Sequence, residues 1–319
     1  MSSAVVVEDL HKTYGTLRAV HGVSFSVEHG EIFALLGRNG AGKTTTMEIL
    51  EGFRTRDSGR AEVLGLDPGD TSTERALRER IGLVLQDIAV EPYLTVRETI
   101  ARNAGYYPSP RDVAEVITLV DLAGQENRKV RALSGGQKRR LDLALGIIGN
   151  PGVLFLDEPT TGFDPNARRG AWQLVRDLRD AGMTIVLTTH YMEEAQELAD
   201  RVAVISKGEI VAEGTPETLG GRDTAKARIS FALPEGCALS DLPVDAAPTH
   251  GMSEPAHGLI VVESAEPTRT LHQLTGWALD RGTVLDRLSV DRPSLEDVYL
   301  HLTDQGAGAP EHTLERSAR

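Results

Sequence analysis

Apolar positions along the chain follow two different periods. Short β-branched runs mark strands near the start: "AVVVEDL" from Ala4, "LRAVHGVSFSVE" from Leu17 and "EIFALLG" from Glu31, with His29-Gly30 turning between the last two. A glycine-rich loop follows, then a helix expected over residues 43–50. From about Asp87 to Ile148 the period lengthens. Val113, Val116, Ile117 and Val120 fall at i, i+3, i+4 and i+7, and Leu141, Leu145 and Ile148 form a second stripe after Gly136. Between the stripes, "LAGQENRKVRALSGG" reads as a polar loop.

Strand–helix alternation then resumes. "GVLFLDE" precedes a helix with Ala171, Leu174, Val175 and Leu178 on one face, and "MTIVLTTH" precedes "MEEAQELAD". "RVAVISKGEIVAEG" reads as a hairpin turning at Lys207-Gly208. The pattern predicts an α/β fold, a mostly parallel sheet covered by helices and interrupted by a helical insertion at about 87–149. Near Gly220-Gly221 the character changes. "KARISFALPEG", "GLIVVES" and "GTVLDRLSVD" read as strands, and "PTRTLHQLTGWALDRG" and "SLEDVYLHLTD" as helices. This predicts a first domain over 1–219, a small α+β domain over 220–304 and a loose tail over 305–319.

Composition changes this picture little. The 319 residues are 40% hydrophobic and 25% charged, as in an ordinary globular protein. A net charge of -13 opposes general binding to nucleic acid while leaving room for a local nucleotide site. The single cysteine, Cys237, points to a reducing, cytosolic compartment. The first residues do not read as a signal peptide, and no apolar run is long enough to span a membrane, so any spanning part is expected on another chain. Only six of the 34 basic residues are lysine, the bias a GC-rich bacterial genome would give.

The chemistry begins at "GRNGAGKTT". Gly37, Gly40, Gly42, Lys43 and Thr44 match G-x-x-x-x-G-K-[ST] between a strand and a helix, and Asn39, Ala41 and Thr45 complete the loop. Glycines let backbone N–H groups turn toward phosphate oxygens at a helix N-terminus. Lys43 is then expected on the β- and γ-phosphates and the Thr44 hydroxyl on Mg²⁺. "VLFLDE" ends a buried strand on two carboxylates. Asp157 suits the Mg²⁺ shell, and Glu158 suits the general base that polarises an attacking water.

Together with "LSGGQ" at Leu133–Gln137, these motifs resemble the ATP-binding subunit of an ATP-binding cassette (ABC) transporter over residues 4 to about 218. The resemblance implies a P-loop NTPase fold with an N-terminal antiparallel β subdomain. It also assigns roles by position. Gln86 matches the loop glutamine that contacts Mg²⁺, water and the membrane partner, and His190 the switch histidine that senses the γ-phosphate. Tyr14 matches the aromatic that stacks on adenine, and Asp164 the aspartate that helps couple two sites. Phe163 stands where the family more often has leucine. Ser134, Gly135, Gly136 and Gln137 are implied to close over ATP held by a second subunit, so a homodimer is expected, with a heterodimer left open.

"DRPSLEDVYLHLTD", "LSGGQKRRLDLALGIIGNP" and "TTGFDPNARR" further resemble ATPases of daunorubicin-type drug exporters. These work with a separate membrane permease of the ABC-2 type, which places the chain on the cytoplasmic face of the membrane. Leu295, Val298, Tyr299 and Leu302 share one helical face, as packing or docking would require. The alternatives are a soluble ABC ATPase of DNA repair or translation and a P-loop switch or kinase. The first usually has two cassettes or a coiled coil, and the second leaves Leu133–Gln137 and His190 without a purpose.

Overall fold

The computed structural model describes residues 3–84, 90–222, 225–243 and 259–305. They fall into two compact units, Met1–Pro216 and Glu217–Arg319. The strands are β1 (Val5–Tyr14), β2 (Leu17–Val27), β3 (Ile32–Leu36), β4 (Ser58–Val63), β5 (Ile81–Val84), β6 (Val153–Asp157), β7 (Thr184–Thr189), β8 (Arg201–Ser206), β9 (Glu209–Gly214), β10 (Ala227–Ala232), β11 (Leu259–Ser264) and β12 (Ser289–Asp291). The helices are α1 (Lys43–Leu50), α2 (Glu74–Arg78), α3 (Val96–Ala104), α4 (Val113–Leu119), α5 (Gly135–Ile147), α6 (Pro165–Asp180), α7 (Met192–Leu198), α8 (Pro267–Asp280) and α9 (Leu295–Gln305).

In the first unit a six-stranded sheet runs in the order β5-β6-β7-β3-β8-β9. Its strands are parallel except β9, which pairs antiparallel with β8. Every residue of β3 and β7 is buried, as strands covered on both faces require. Exposed β9 instead alternates, and its hairpin turns through Lys207 and Gly208, both at positive φ, which matches a type I′ turn. A second sheet, β2-β1-β4, is antiparallel. The two sheets share one apolar core, in which Phe25 of β2 stacks on Phe33 of β3 at 5.0 Å between ring centroids.

The helical insertion is present as α3, α4 and α5. Thr95 and Glu98 form a capping box on α3, and Asp112 caps α4. Helix α5 departs from the expected narrow stripe. Leu141, Leu143, Ala144, Gly146 and Ile147 are all buried, whereas Leu145 is only partly so. The cause is a close approach to β5: a Cβ at Gly82 would meet the Gly146 carbonyl oxygen at 2.1 Å, and one at Gly146 would meet Val84 at 2.8 Å. Two glycines thus let α5 sit against the sheet and fix where its N-terminus lies. On α6 the buried face is Trp172, Leu174, Val175 and Leu178, with Trp172 deeper than Ala171.

The second unit is an antiparallel sheet, β11-β10-β12, with a core of Ile229, Phe231, Leu242, Val262 and Leu274 from α8. β12 is much shorter than "GTVLDRLSVD" suggests. Leu295, Val298 and Tyr299 are buried on α9, while the side chain of Leu302 and the tail beyond Gln305 lie outside the described residues. The units divide after Pro216, slightly before the expected boundary, because the turn Leu219–Gly221 packs on α9 with Leu219 fully buried.

Candidate functional site

Strands β6, β7 and β3 lie side by side, and their carboxyl ends carry the residues singled out by the sequence: the glycine-rich loop after β3, Asp157-Glu158 at β6 and His190 after β7. Loops at such strand ends open into the crevice where α/β sheets bind ligands.

The loop from Gly37 to Gly42 joins β3 to α1. Gly42 caps α1 at φ 111°, and a Cβ there would meet the Ala19 carbonyl oxygen at 2.4 Å. At Gly37 the obstacle is the Ile205 carbonyl oxygen, 2.5 Å from an added Cβ. These two glycines are therefore demanded by the chain's own packing as well as by any phosphate. Lys43 is buried, and its Nζ donates to the carbonyls of Gly37 at 2.8 Å and Arg38 at 3.3 Å. Burial pushes the Lys43 ammonium down, and the charges of Glu158 and Asp157 push it partly back. Thr44 and Asn39 are exposed, Ala41 is buried and Thr45 half-buried.

Glu158 gathers three partners. Its Oε1 lies 3.5 Å from Lys43 Nζ and 3.1 Å from Nδ1 of His190, the latter an ion-pair contact off the hydrogen-bonding axis. Its Oε2 accepts from the Thr161 hydroxyl at 3.1 Å. Burial raises the Glu158 carboxyl, but His190, Lys43 and Thr161 outweigh it and hold the group below the usual carboxylate range. The residue sits at φ 45°, a left-handed conformation that costs a side-chain-bearing residue roughly 1–2 kcal/mol. Its backbone N–H reaches both the carbonyl and the hydroxyl of Thr188.

Tyr14 is exposed at the end of β1, with the Arg54 guanidinium 5.3 Å and Lys12 Nζ 5.7 Å from its ring centroid. Ser134 caps α5: its Oγ accepts from the Gln137 N–H, and the Gln137 side chain accepts from the Ser134 N–H. Gly135 and Gly136 are helical, and an added Cβ at either would meet nothing within 4 Å. Asp164 caps α6, accepting from the N–H groups of Asn166 and Ala167. Gln86 lies outside the described residues.

A buried polar junction escaped the sequence reading. Fully buried Glu194, on α7, accepts from the Thr160 hydroxyl at 2.7 Å and from Trp172 Nε1 at 3.1 Å, while Arg139 of α5 donates to the Pro159 carbonyl at 3.1 Å. The helices that start beside Ser134, Asp164 and His190 are thus pinned around the segment after Glu158. The sequence carries no local signal for it, because Thr160, Trp172 and Glu194 come from three segments.

No group of three or more His, Cys, Asp or Glu side chains among the described residues could hold a metal ion. A cation here would need oxygen ligands from the phosphates beside Asp157 and Thr44, the habit of Mg²⁺.

A glycine loop feeding a helix N-terminus and a buried lysine after β3, facing paired carboxylates at the end of β6 in the same parallel sheet, define a P-loop ATPase. A family model described as "ABC transporter" matches residues 20–161, and one described as "ABC transporter domain-containing protein-like, C-terminal domain" matches residues 227–294. Daunorubicin resistance ATP-binding protein DrrA3 of Streptomyces coeruleorubidus is 37% identical over 313 residues, covering 94% of this chain and 96% of that protein. Nod factor export ATP-binding protein I of Rhizobium sp. (strain N33) is 39% identical over 307 residues, covering 94% and 97%. Among solved structures, cbiO1 from Clostridium perfringens, part of the transporter complex cbiONQ, superimposes with a TM-score of 0.63 at 28% identity, over 68% of this chain and 90% of its own. The chain belongs to the ATP-binding subunits of ABC transporters, enzymes that bind and hydrolyse ATP. These relatives do not favour a DNA-repair or translation ATPase.

Proposed function

We propose that the chain powers export of a hydrophobic drug-like or lipid-like compound through a separate membrane permease of the ABC-2 type, working as a homodimer on the cytoplasmic face of the membrane. The drug-resistance and export functions in the names of its relatives support the direction of transport. No helix among the described residues is long and apolar enough to cross a membrane, so this reading needs a second chain for the passage itself.

The observation that carries the catalytic reading is the meeting of Lys43, Glu158 and His190 around one carboxylate oxygen. In this reading Lys43 leaves the Gly37 and Arg38 carbonyls for the β- and γ-phosphates, and the N–H groups of the loop from Gly37 to Thr45 cradle them. Tyr14 stacks on the adenine. Thr44, Asp157 and Gln86 would hold Mg²⁺, which supplies charge neutralisation on the phosphate oxygens. Glu158, held charged by its neighbours, accepts a proton from water as that oxygen bonds to the γ-phosphorus. The bond to the bridging oxygen breaks, and ADP and phosphate leave. His190 steadies the Glu158 carboxylate and contacts the γ-phosphate.

The open space before Gly135 and Gly136 supports a ligand arriving from outside the chain. The Ser134 oxygen is committed to Gln137, but its proton can still be donated to a phosphate oxygen. Each Ser134–Gln137 segment would then close over ATP bound to the other protomer, and Asp164 would lie where the two sites communicate.

Glu158→Gln tests the reading. ATP binding should persist while hydrolysis falls by about 10²–10⁴-fold, the usual contribution of a general base. Turnover equal to the unmodified protein would refute the assignment.

A further inference from the structure

β7 reads "TIVLTT", and its last two residues are threonines with no exposed surface. A buried hydroxyl in a strand core is costly unless its hydrogen bonds are made. Thr188 meets that demand in a particular way. It lies opposite Asp157 in the parallel register of β6 and β7. Its Oγ1 donates its one proton to Oδ1 of Asp157 and accepts the backbone N–H of Glu158 at 3.1 Å. One hydroxyl therefore grips two consecutive residues at the tip of β6, by a side chain in one case and by the main chain in the other.

The two residues need that grip for different reasons. The Asp157 carboxylate stands at a strand end where its rotation is otherwise limited only by neighbours. Accepting a proton on Oδ1 restricts the rotation of the carboxylate. Glu158 is in a left-handed conformation that opposes its own backbone preference, and its N–H is shared between the Thr188 hydroxyl at 3.1 Å and the Thr188 carbonyl at 3.2 Å. Thr189, its neighbour on the strand, turns the other way, and its Oγ1 accepts from Tyr191 N–H instead.

We infer that Thr188 is a positioning residue for hydrolysis: its side-chain hydroxyl orients Asp157 toward the divalent cation and sets the backbone of Glu158 so that its carboxylate faces the attacked phosphate. The inference rests on the assignment of Asp157 and Glu158 made above. Groups that orient a metal ligand typically change metal affinity or activity by about 10–100-fold when removed. Thr188→Val keeps the shape and β-branching and removes only the hydroxyl; Thr188→Ser keeps the hydroxyl and removes the methyl.

The test uses the full chain with ATP and Mn²⁺, reading bound Mn²⁺ by electron paramagnetic resonance alongside ATPase rate and thermal melting. Thr188→Val should melt as a folded protein, bind ATP without metal as the unmodified chain does, and lose about 10–100-fold in Mn²⁺ affinity and in kcat. Thr188→Ser should recover most of both. Thr188→Val matching the unmodified chain, or Thr188→Ser failing as badly as valine, would overturn the inference, the second because the methyl and not the hydroxyl would then matter. Asp157→Asn is measured beside them. If Asp157→Asn leaves Mn²⁺ affinity unchanged, it is the metal-site assignment that fails, and the Thr188 inference falls with it. If Asp157→Asn weakens Mn²⁺ and Thr188→Val does not, only the Thr188 inference is lost.

Discussion

At the scale of single residues the glycine-rich loop is constrained by its own packing, whatever it binds. Gly37 and Gly42 are excluded from bearing side chains by backbone oxygens of their own chain, so their replacement should harm folding as well as binding. Lys43 is different: it is buried against the Gly37 and Arg38 carbonyls and beside Glu158, and in the proposed reading it leaves those carbonyls for the phosphates. Lys43→Ala should lose nucleotide binding, measurable by equilibrium titration with a fluorescent ATP analogue, while the protein stays folded.

Glu51, at the end of α1, gives a prediction about pH. Burial first, then the charges of Asp157 and Glu48, push its carboxyl up to about 7. With the unfolded value near 4.5, the folded chain binds the extra proton between those limits. Stability should therefore fall as pH rises from about 4.5 to about 7 and level off above, by an amount on the order of 3 kcal/mol at most. Glu51→Gln should flatten that slope and raise the melting temperature at pH 8, which thermal melts across the range would check.

At the scale of elements, α5 carries two kinds of glycine. Gly146 is locked by contact with β5, whereas Gly136 has open space in front of it and ordinary helical geometry. Nothing within the chain asks Gly136 to lack a side chain. Gly136→Ala should leave stability unchanged or raise it, by up to about 1 kcal/mol from helix propensity alone. ATPase activity should nonetheless drop, because the added methyl stands where a phosphate from another protomer would approach. Melting and activity on one preparation decide it: loss of both together would mean the glycine serves this chain's own fold.

The elements themselves were largely legible. The continuous apolar runs of β3, β6 and β7, the turn residues Lys207-Gly208 and the periodic stripe of α4 are all visible in the sequence. The buried face of α5 is not, because the helix packs against a sheet on one side and helices on another, and no single period describes two contacts. The Glu194 junction was illegible for a related reason. A buried carboxylate looks in sequence like any solvated one until Thr160 and Trp172, from two other segments, are brought to it.

At the scale of the whole molecule, one P-loop and one Leu133–Gln137 segment per chain make assembly the central expectation. A Ser134→Ala chain and a Lys43→Ala chain are each defective, but in a mixed dimer one of the two sites recovers intact parts from both. Mixing them should restore ATPase activity to a fraction of the unmodified level, whereas either alone stays low. The Ser134 variant also loses a helix cap worth about 1 kcal/mol, so its fold is checked by melting. Absence of any recovery, with both chains folded and able to associate, would count against sharing of the site. Glu158→Gln with ATP should also double the mass seen by light scattering, since binding without hydrolysis leaves the dimer closed.

The strand–helix alternation on either side of the helical insertion and the spacing of the glycine-rich and acidic motifs were determined by the sequence, because periodicity and motif spacing are local properties of a chain, whereas β4, α2 and β5 carried no pattern that was read from it. Tertiary structure decided what the locally read residues do to one another. Lys43 after β3, Asp157 and Glu158 at β6, and Thr188 and His190 at β7 come from three distant segments and meet only because those strands lie in one sheet in the order β6-β7-β3. That pairing gave a threonine in an apolar run hydrogen bonds to both Asp157 and Glu158, and packing separated glycines that cannot bear a side chain from glycines with open space before them. Burial and hydrogen bonding between distant segments depend on which strands lie side by side, and no periodicity within a single segment encodes that.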